Sequence, residues 1–88
     1  MNPRIYLDYC ATTPVHSSVR DAMLRALDAD FGNPSSMHWA GRDARQLIDR
    51  SRADVAGGIG CQPSEIIFTS GAIEADNLAL FGTLRRAQ

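Results

Sequence analysis

The sequence has 88 residues, 44% hydrophobic and 22% charged, with ten acidic groups against nine basic ones and a formal net charge of -1. That length allows at most one domain with a thin core, because a chain of this size buries only roughly 60 to 70% of its unfolded surface. Balanced charge offers no footprint for nucleic acid, and the longest strictly apolar run, Leu78 to Phe81, falls far short of the roughly 20 residues that cross a bilayer, so neither nucleic acid nor membrane is an expected partner.

Ile5 to Tyr9 is rich in β-branched and aromatic residues and reads as a short extended piece closed by Thr12-Thr13-Pro14. From Val15 to Leu27 the apolar residues Val15, Val19, Ala22, Met23, Ala26 and Leu27 recur at three- and four-residue steps, which predicts a helix capped by Thr13 with Pro14 in its first position. Phe31-Gly32-Asn33-Pro34 stops it, since Gly32 admits unusual backbone angles and Pro34 biases Asn33 away from the helical region. Ser35 or Ser36 caps a second helix whose inner stripe is Trp39, Ala40, Ala44, Leu47, Ile48, Ser51 and Val55, ending at Gly57-Gly58. Its outer face sets Arg45 four residues before Asp49, and Arg50 four before Asp54.

Ile66-Ile67-Phe68-Thr69 is a continuous apolar run of the kind found in parallel strands covered on both faces. Ser70-Gly71-Ala72-Ile73 then opens a third helix that turns Ala75, Leu78, Ala79, Gly82 and Leu84 inward. The order helix, helix, strand, helix predicts an α/β protein with a mainly parallel sheet. The backbone groups of 66–69 need neighbouring strands that this chain does not supply, so the 88 residues read as the leading piece of a larger fold, with 1–14 an extended leading segment and 15–88 the start of a domain.

The junction at 70–73 is the most informative place for chemistry. A helix N-terminus at the carboxyl end of a strand offers unpaired N–H groups and the positive end of the helix dipole to an anion, and Gly71 lets a phosphate approach the backbone. The plain alternative is an ordinary strand-to-helix turn in which Glu74 supplies half of a capping box. No Walker loop is present, and Gly57-Gly58-Ile59-Gly60 follows no strand, so a dinucleotide fingerprint also fails. His16, His38, Cys10 and Cys61 share no metal-ligand spacing, so no metal site is expected, and Asp8 and Glu74 are not paired as acid and base. Pro3, Arg4 and Asp8 interrupt any signal-like apolar region, and the two widely spaced cysteines read as reduced thiols, which points to the cytoplasm. Every basic residue is an arginine, so the chain cannot form a lysine Schiff base.

Three phrases in order carry a resemblance: Tyr6-Leu7-Asp8-Tyr9-Cys10-Ala11-Thr12-Thr13-Pro14, then Phe31-Gly32-Asn33-Pro34-Ser35-Ser36-Met37-His38, then Ile66-Ile67-Phe68-Thr69-Ser70-Gly71-Ala72-Ile73-Glu74-Ala75-Asp76-Asn77-Leu78-Ala79. Together they closely resemble the start of cysteine desulfurases of the NifS/IscS group, within the class V aminotransferases. The resemblance implies a fold type I pyridoxal-phosphate enzyme, usually a homodimer. Such an enzyme takes sulfur from L-cysteine, leaves L-alanine and passes the sulfur to an acceptor or scaffold protein for iron–sulfur cluster assembly. It also implies that the turn matching Gly71, Ala72 and Ile73 holds the cofactor phosphate. The family usually has threonine where this chain has Ile73, so a hydroxyl bond worth about 1.5 to 3 kcal/mol is missing and cofactor retention should be weaker.

The family's Schiff-base lysine, ring-stacking histidine and sulfur-receiving cysteine fall beyond residue 88, and neither Cys10 nor Cys61 matches that cysteine. No catalytic residue is therefore assigned here, and the isolated chain is expected to be inactive. Two alternatives stay open: a non-catalytic truncated remnant acting at most as a binding fragment, and another class V aminotransferase.

Overall fold

The computed structural model describes residues 2–87, which form three α-helices, α1 (Ser17–Asp28), α2 (Trp39–Ile59) and α3 (Ala72–Arg86), and one 3-10 turn at Pro63–Glu65. The chain divides between Ile48 and Asp49 into two units, each taken by itself below.

In the first unit the leading segment is held by a turn rather than a strand. Ala11 N–H donates to the Asp8 carbonyl at 3.0 Å, and the Tyr6 hydroxyl lies 3.0 Å and 3.1 Å from the carbonyl oxygens of Asp8 and Thr12. The rings of Tyr6 and Tyr9 meet edge to face with centroids 5.3 Å apart, a favoured aromatic geometry. Helix α1 starts later than the Val15 expected from periodicity, and its cap is His16, not Thr13. The extended His16 accepts the Ser18 amide on Nδ1 at 3.3 Å, and its carbonyl accepts the Arg20 amide at 3.0 Å. An imidazole at the cap satisfies an end amide as a hydroxyl would.

Between α1 and α2 the chain turns on Asn33, whose Oδ1 accepts the Ser35 amide and whose carbonyl accepts the Ser36 amide, both at 2.9 Å. This is the Asx turn that Asn and Asp favour. The loop lies so close to the start of α2 that a Cβ on Gly32 would stand 2.2 Å from the Ala40 carbonyl oxygen, and one on Gly41 would stand 2.1 Å from that of Ser36. Both positions therefore require glycine. Helix α2 begins at Trp39, so neither Ser35 nor Ser36 is the residue that precedes and caps it, and the indole expected in the core is 60% exposed. Ala40 and Ala44 are buried instead.

In the second unit α2 runs through Gly57-Gly58, the pair expected to stop it, and ends at Ile59. The stop is Gly60, at φ +76°, with the Gly60 and Cys61 amides both donating to the Ala56 carbonyl at 2.8 Å and 3.0 Å. The Gly60 bond is the 5→1 bond of an αL closure, and the Cys61 bond adds a 6→1 bond to the same carbonyl; the closure needs a left-handed residue just past the helix and so selects glycine. Pro63 follows, where the helix has already ended, and the Gln62 amide donates to Glu65 Oε2 at 2.8 Å.

Residues 66–69 form no strand, and no β-strand occurs among the described residues. The physical reason is the one that made the segment look incomplete: a strand is stabilised by its ladder, and this chain provides no neighbouring strand. Ile66 still has extended angles, φ −90° and ψ 126°. The sheet expected from the sequence is thus not seen in this chain, whereas all three helices are.

The apolar stripes of the helices are present but uncovered. Among the described residues Ala40, Ala44 and Ala56 make up the buried apolar core, while Val19, Met23 and Leu27 of α1 and Leu78, Phe81 and Leu84 of α3 face water, as does Val55 of the expected α2 stripe. Apolar faces left in water mark surfaces made for contact.

Candidate functional site

Gly71, Ala72 and Ile73 stand at the N-cap and first two positions of α3. Gly71 is fully extended, at φ 167° and ψ −175°, so it carries the chain into the helix without strain. The first amide engaged by the helix is that of Ala75, which donates to the Gly71 carbonyl at 3.1 Å. The amides of Gly71, Ala72 and Ile73 have no acceptor among the described residues, as expected of a helix start. Ser70 to Ile73 are all exposed, and a Cβ on Gly71 would meet nothing within 4 Å. There is room for an oxyanion against the backbone, and donors to receive it.

Glu74 contributes differently from the expected capping box. Its Oε2 accepts both the amide of Ser70 at 3.0 Å and the Ser70 hydroxyl at 2.5 Å, reaching past the N-cap to the residue before it. The Ser70 hydroxyl first, and the Ser70 amide second, hold the Glu74 carboxyl below its ordinary range, with desolvation opposing slightly. Glu74 therefore stays ionised and fixes Ser70 rather than leaving its hydroxyl for a ligand. Thr69 Oγ1 donates to the Gly71 carbonyl at 3.0 Å and closes the turn on its other side. Donors and space at 71–73 fit a phosphate, while the side chain of Ile73, 81% exposed, brings no hydroxyl to it. The turn carries hydrogen-bond donors and one committed carboxylate, a set suited to binding and not to proton transfer.

Sequence reasoning missed one member of this region. Arg52 of α2 donates through Nη1 to the Ile66 carbonyl, and its guanidinium carbon stands 5.0 Å from the centroid of the Phe68 ring. No local spacing signals a contact made across 14 residues.

A family model described as aminotransferase class-V matches residues 5–88. The chain belongs to the class-V aminotransferase family. It is 51% identical over 80 residues to the putative cysteine desulfurase IscS 1 of Bacillus subtilis, covering 91% of this chain and 21% of that protein. It is 48% identical over 82 residues to the cysteine desulfurase IscS of Dictyoglomus turgidum, covering 93% and 21%. It is also 52% identical over 81 residues to the selenocysteine lyase of Xenopus tropicalis, covering 92% and 19%. The chain thus spans about a fifth of the length of these curated relatives. Class-V aminotransferases are pyridoxal-phosphate enzymes of fold type I, and the resemblance read from the three sequence phrases holds at the level of the family and of its cysteine desulfurases.

Proposed function

We propose that this chain is the phosphate-binding segment of a pyridoxal-phosphate-dependent cysteine desulfurase, one that converts L-cysteine to L-alanine and delivers the sulfur to an acceptor protein for iron–sulfur cluster assembly. The observation that carries the reading is the identity of about one half to cysteine desulfurases across nine-tenths of the chain. A cytoplasmic homodimer is part of the same proposal.

When bound, pyridoxal phosphate supplies an electron sink for bond changes at the substrate α-carbon. The work of this chain lies at the other end of that molecule. The amides of Gly71, Ala72 and Ile73 donate to phosphate oxygens, the dipole of α3 favours the negative charge, and Gly71 leaves the backbone open to close approach. Glu74 and Thr69 hold the turn from either side. No lysine is present to attach the cofactor covalently, and neither Cys10 nor Cys61 matches the family's sulfur-receiving cysteine, so on this reading the segment alone would not turn over cysteine.

Expressing the complete reading frame with pyridoxal phosphate and measuring alanine and sulfide from L-cysteine tests the reading. Cofactor binding without either product from cysteine would overturn it. The relative from Xenopus tropicalis supports a second reading, a selenocysteine lyase, and alanine formed from L-selenocysteine but not from L-cysteine would decide for it.

A further inference from the structure

Arg52 makes the contact that best reaches beyond the turn itself. It lies half-buried in the part of α2 that belongs to the second unit, donates to the Ile66 carbonyl and covers the Phe68 ring at 5.0 Å. Its two partners, the Ile66 carbonyl and the Phe68 ring, belong to residues only two apart in the chain. One planar guanidinium can therefore serve both, with donors in its plane and a face for the ring, which an ammonium group cannot do. The segment it holds has little else to fix it. The Ile66 amide donates to the Pro63 carbonyl at 3.1 Å, and no strand ladder runs along 66–69. Two residues past Phe68 comes Ser70, where the Glu74 contacts begin the turn.

We propose that Arg52 is a positioning residue for the phosphate-binding turn: by holding Ile66 and Phe68 to α2, it sets where the amides of Gly71, Ala72 and Ile73 stand. The proposal rests on the cofactor reading above. It reaches the ligand only through the backbone, so its effect must fall on recognition of the phosphate and not on the rest of the cofactor.

The test compares binding of pyridoxal phosphate and of pyridoxal, which lacks the phosphate, to the complete protein and to its Arg52→Met and Arg52→Lys variants. Arg52→Met should weaken pyridoxal phosphate about tenfold and leave pyridoxal unchanged, with Arg52→Lys, which keeps a donor but no planar face, falling between. Equal losses for both ligands, as a general folding defect would give, or no loss for either, would overturn the proposal. A second measurement needs no cofactor: amide exchange at Ile66 and Ser70 in the complete apoprotein should quicken in Arg52→Met, and unchanged rates would also overturn it. If the complete wild-type protein binds no pyridoxal phosphate, the cofactor reading fails alone, and the exchange rates still decide whether Arg52 holds the turn.

Discussion

Replacing Ile73 by threonine restores a hydroxyl at the second position of α3, beside the amides proposed to grip the cofactor phosphate. The native side chain is 81% exposed, so its removal opens no cavity. Isoleucine and threonine also differ little in helix propensity, so stability should change by less than about 0.5 kcal/mol. The gain is confined to the ligand. A charge-assisted hydrogen bond to phosphate is worth about 1.5 to 3 kcal/mol, and a site this open to water places it at the low end, which corresponds to a roughly tenfold lower Kd. Titrating the complete protein and its Ile73→Thr variant with pyridoxal phosphate, by absorbance, with unfolding curves for both, measures the two quantities separately. An unchanged Kd in a variant that folds normally would mean that the phosphate does not rest against this turn.

Gly32→Ala should destabilise the complete protein by about 1 to 3 kcal/mol, because the new methyl would meet the Ala40 carbonyl at 2.2 Å, and urea unfolding would show it as a lower midpoint. Gly57→Ala and Gly60→Ala should move thermal stability in opposite directions. The first lies inside α2 with open space around it and should stabilise by about 0.5 to 1 kcal/mol, while the second sits at φ +76° and should cost roughly 1 kcal/mol or more; a shared sign would contradict the helix-end assignment. Because Ser70 lowers the Glu74 carboxyl in the folded chain, the contact stabilises above the unfolded carboxylate range and is lost as pH falls through the depressed folded value. Glu74→Gln should therefore be less stable than wild type at neutral pH and converge with it in acid; melting curves followed across pH by circular dichroism would refute this if the gap stayed constant.

The three helices were legible because a 3.6-residue apolar period survives whether or not anything covers the stripe. Their ends were less so. His16 caps α1 although histidine is not a favoured cap, and of three nearby glycines only Gly60 takes the left-handed conformation that ends α2, a distinction that composition does not carry. The expectation of a strand at 66–69 was a statement about partners, since an all-apolar run reports burial on two faces, and without those faces the segment keeps extended angles at Ile66 but no ladder. Trp39 failed as a core residue for the same reason. Around the candidate site, the helix start at Gly71 to Ile73 was legible from turn chemistry, and Glu74 was legible as a capping residue but not its reach to Ser70. Arg52 could not be found from pattern, because its contact depends on where two separated segments meet.

The unladdered stretch from Ile66 to Thr69 bears on how the protein is made. As synthesis proceeds, these residues leave the ribosome before any polypeptide that follows them, and for that interval a short apolar edge is open to whichever chain it meets first. A nascent chain of this kind is open to off-pathway association, so soluble yield should fall as expression is driven faster.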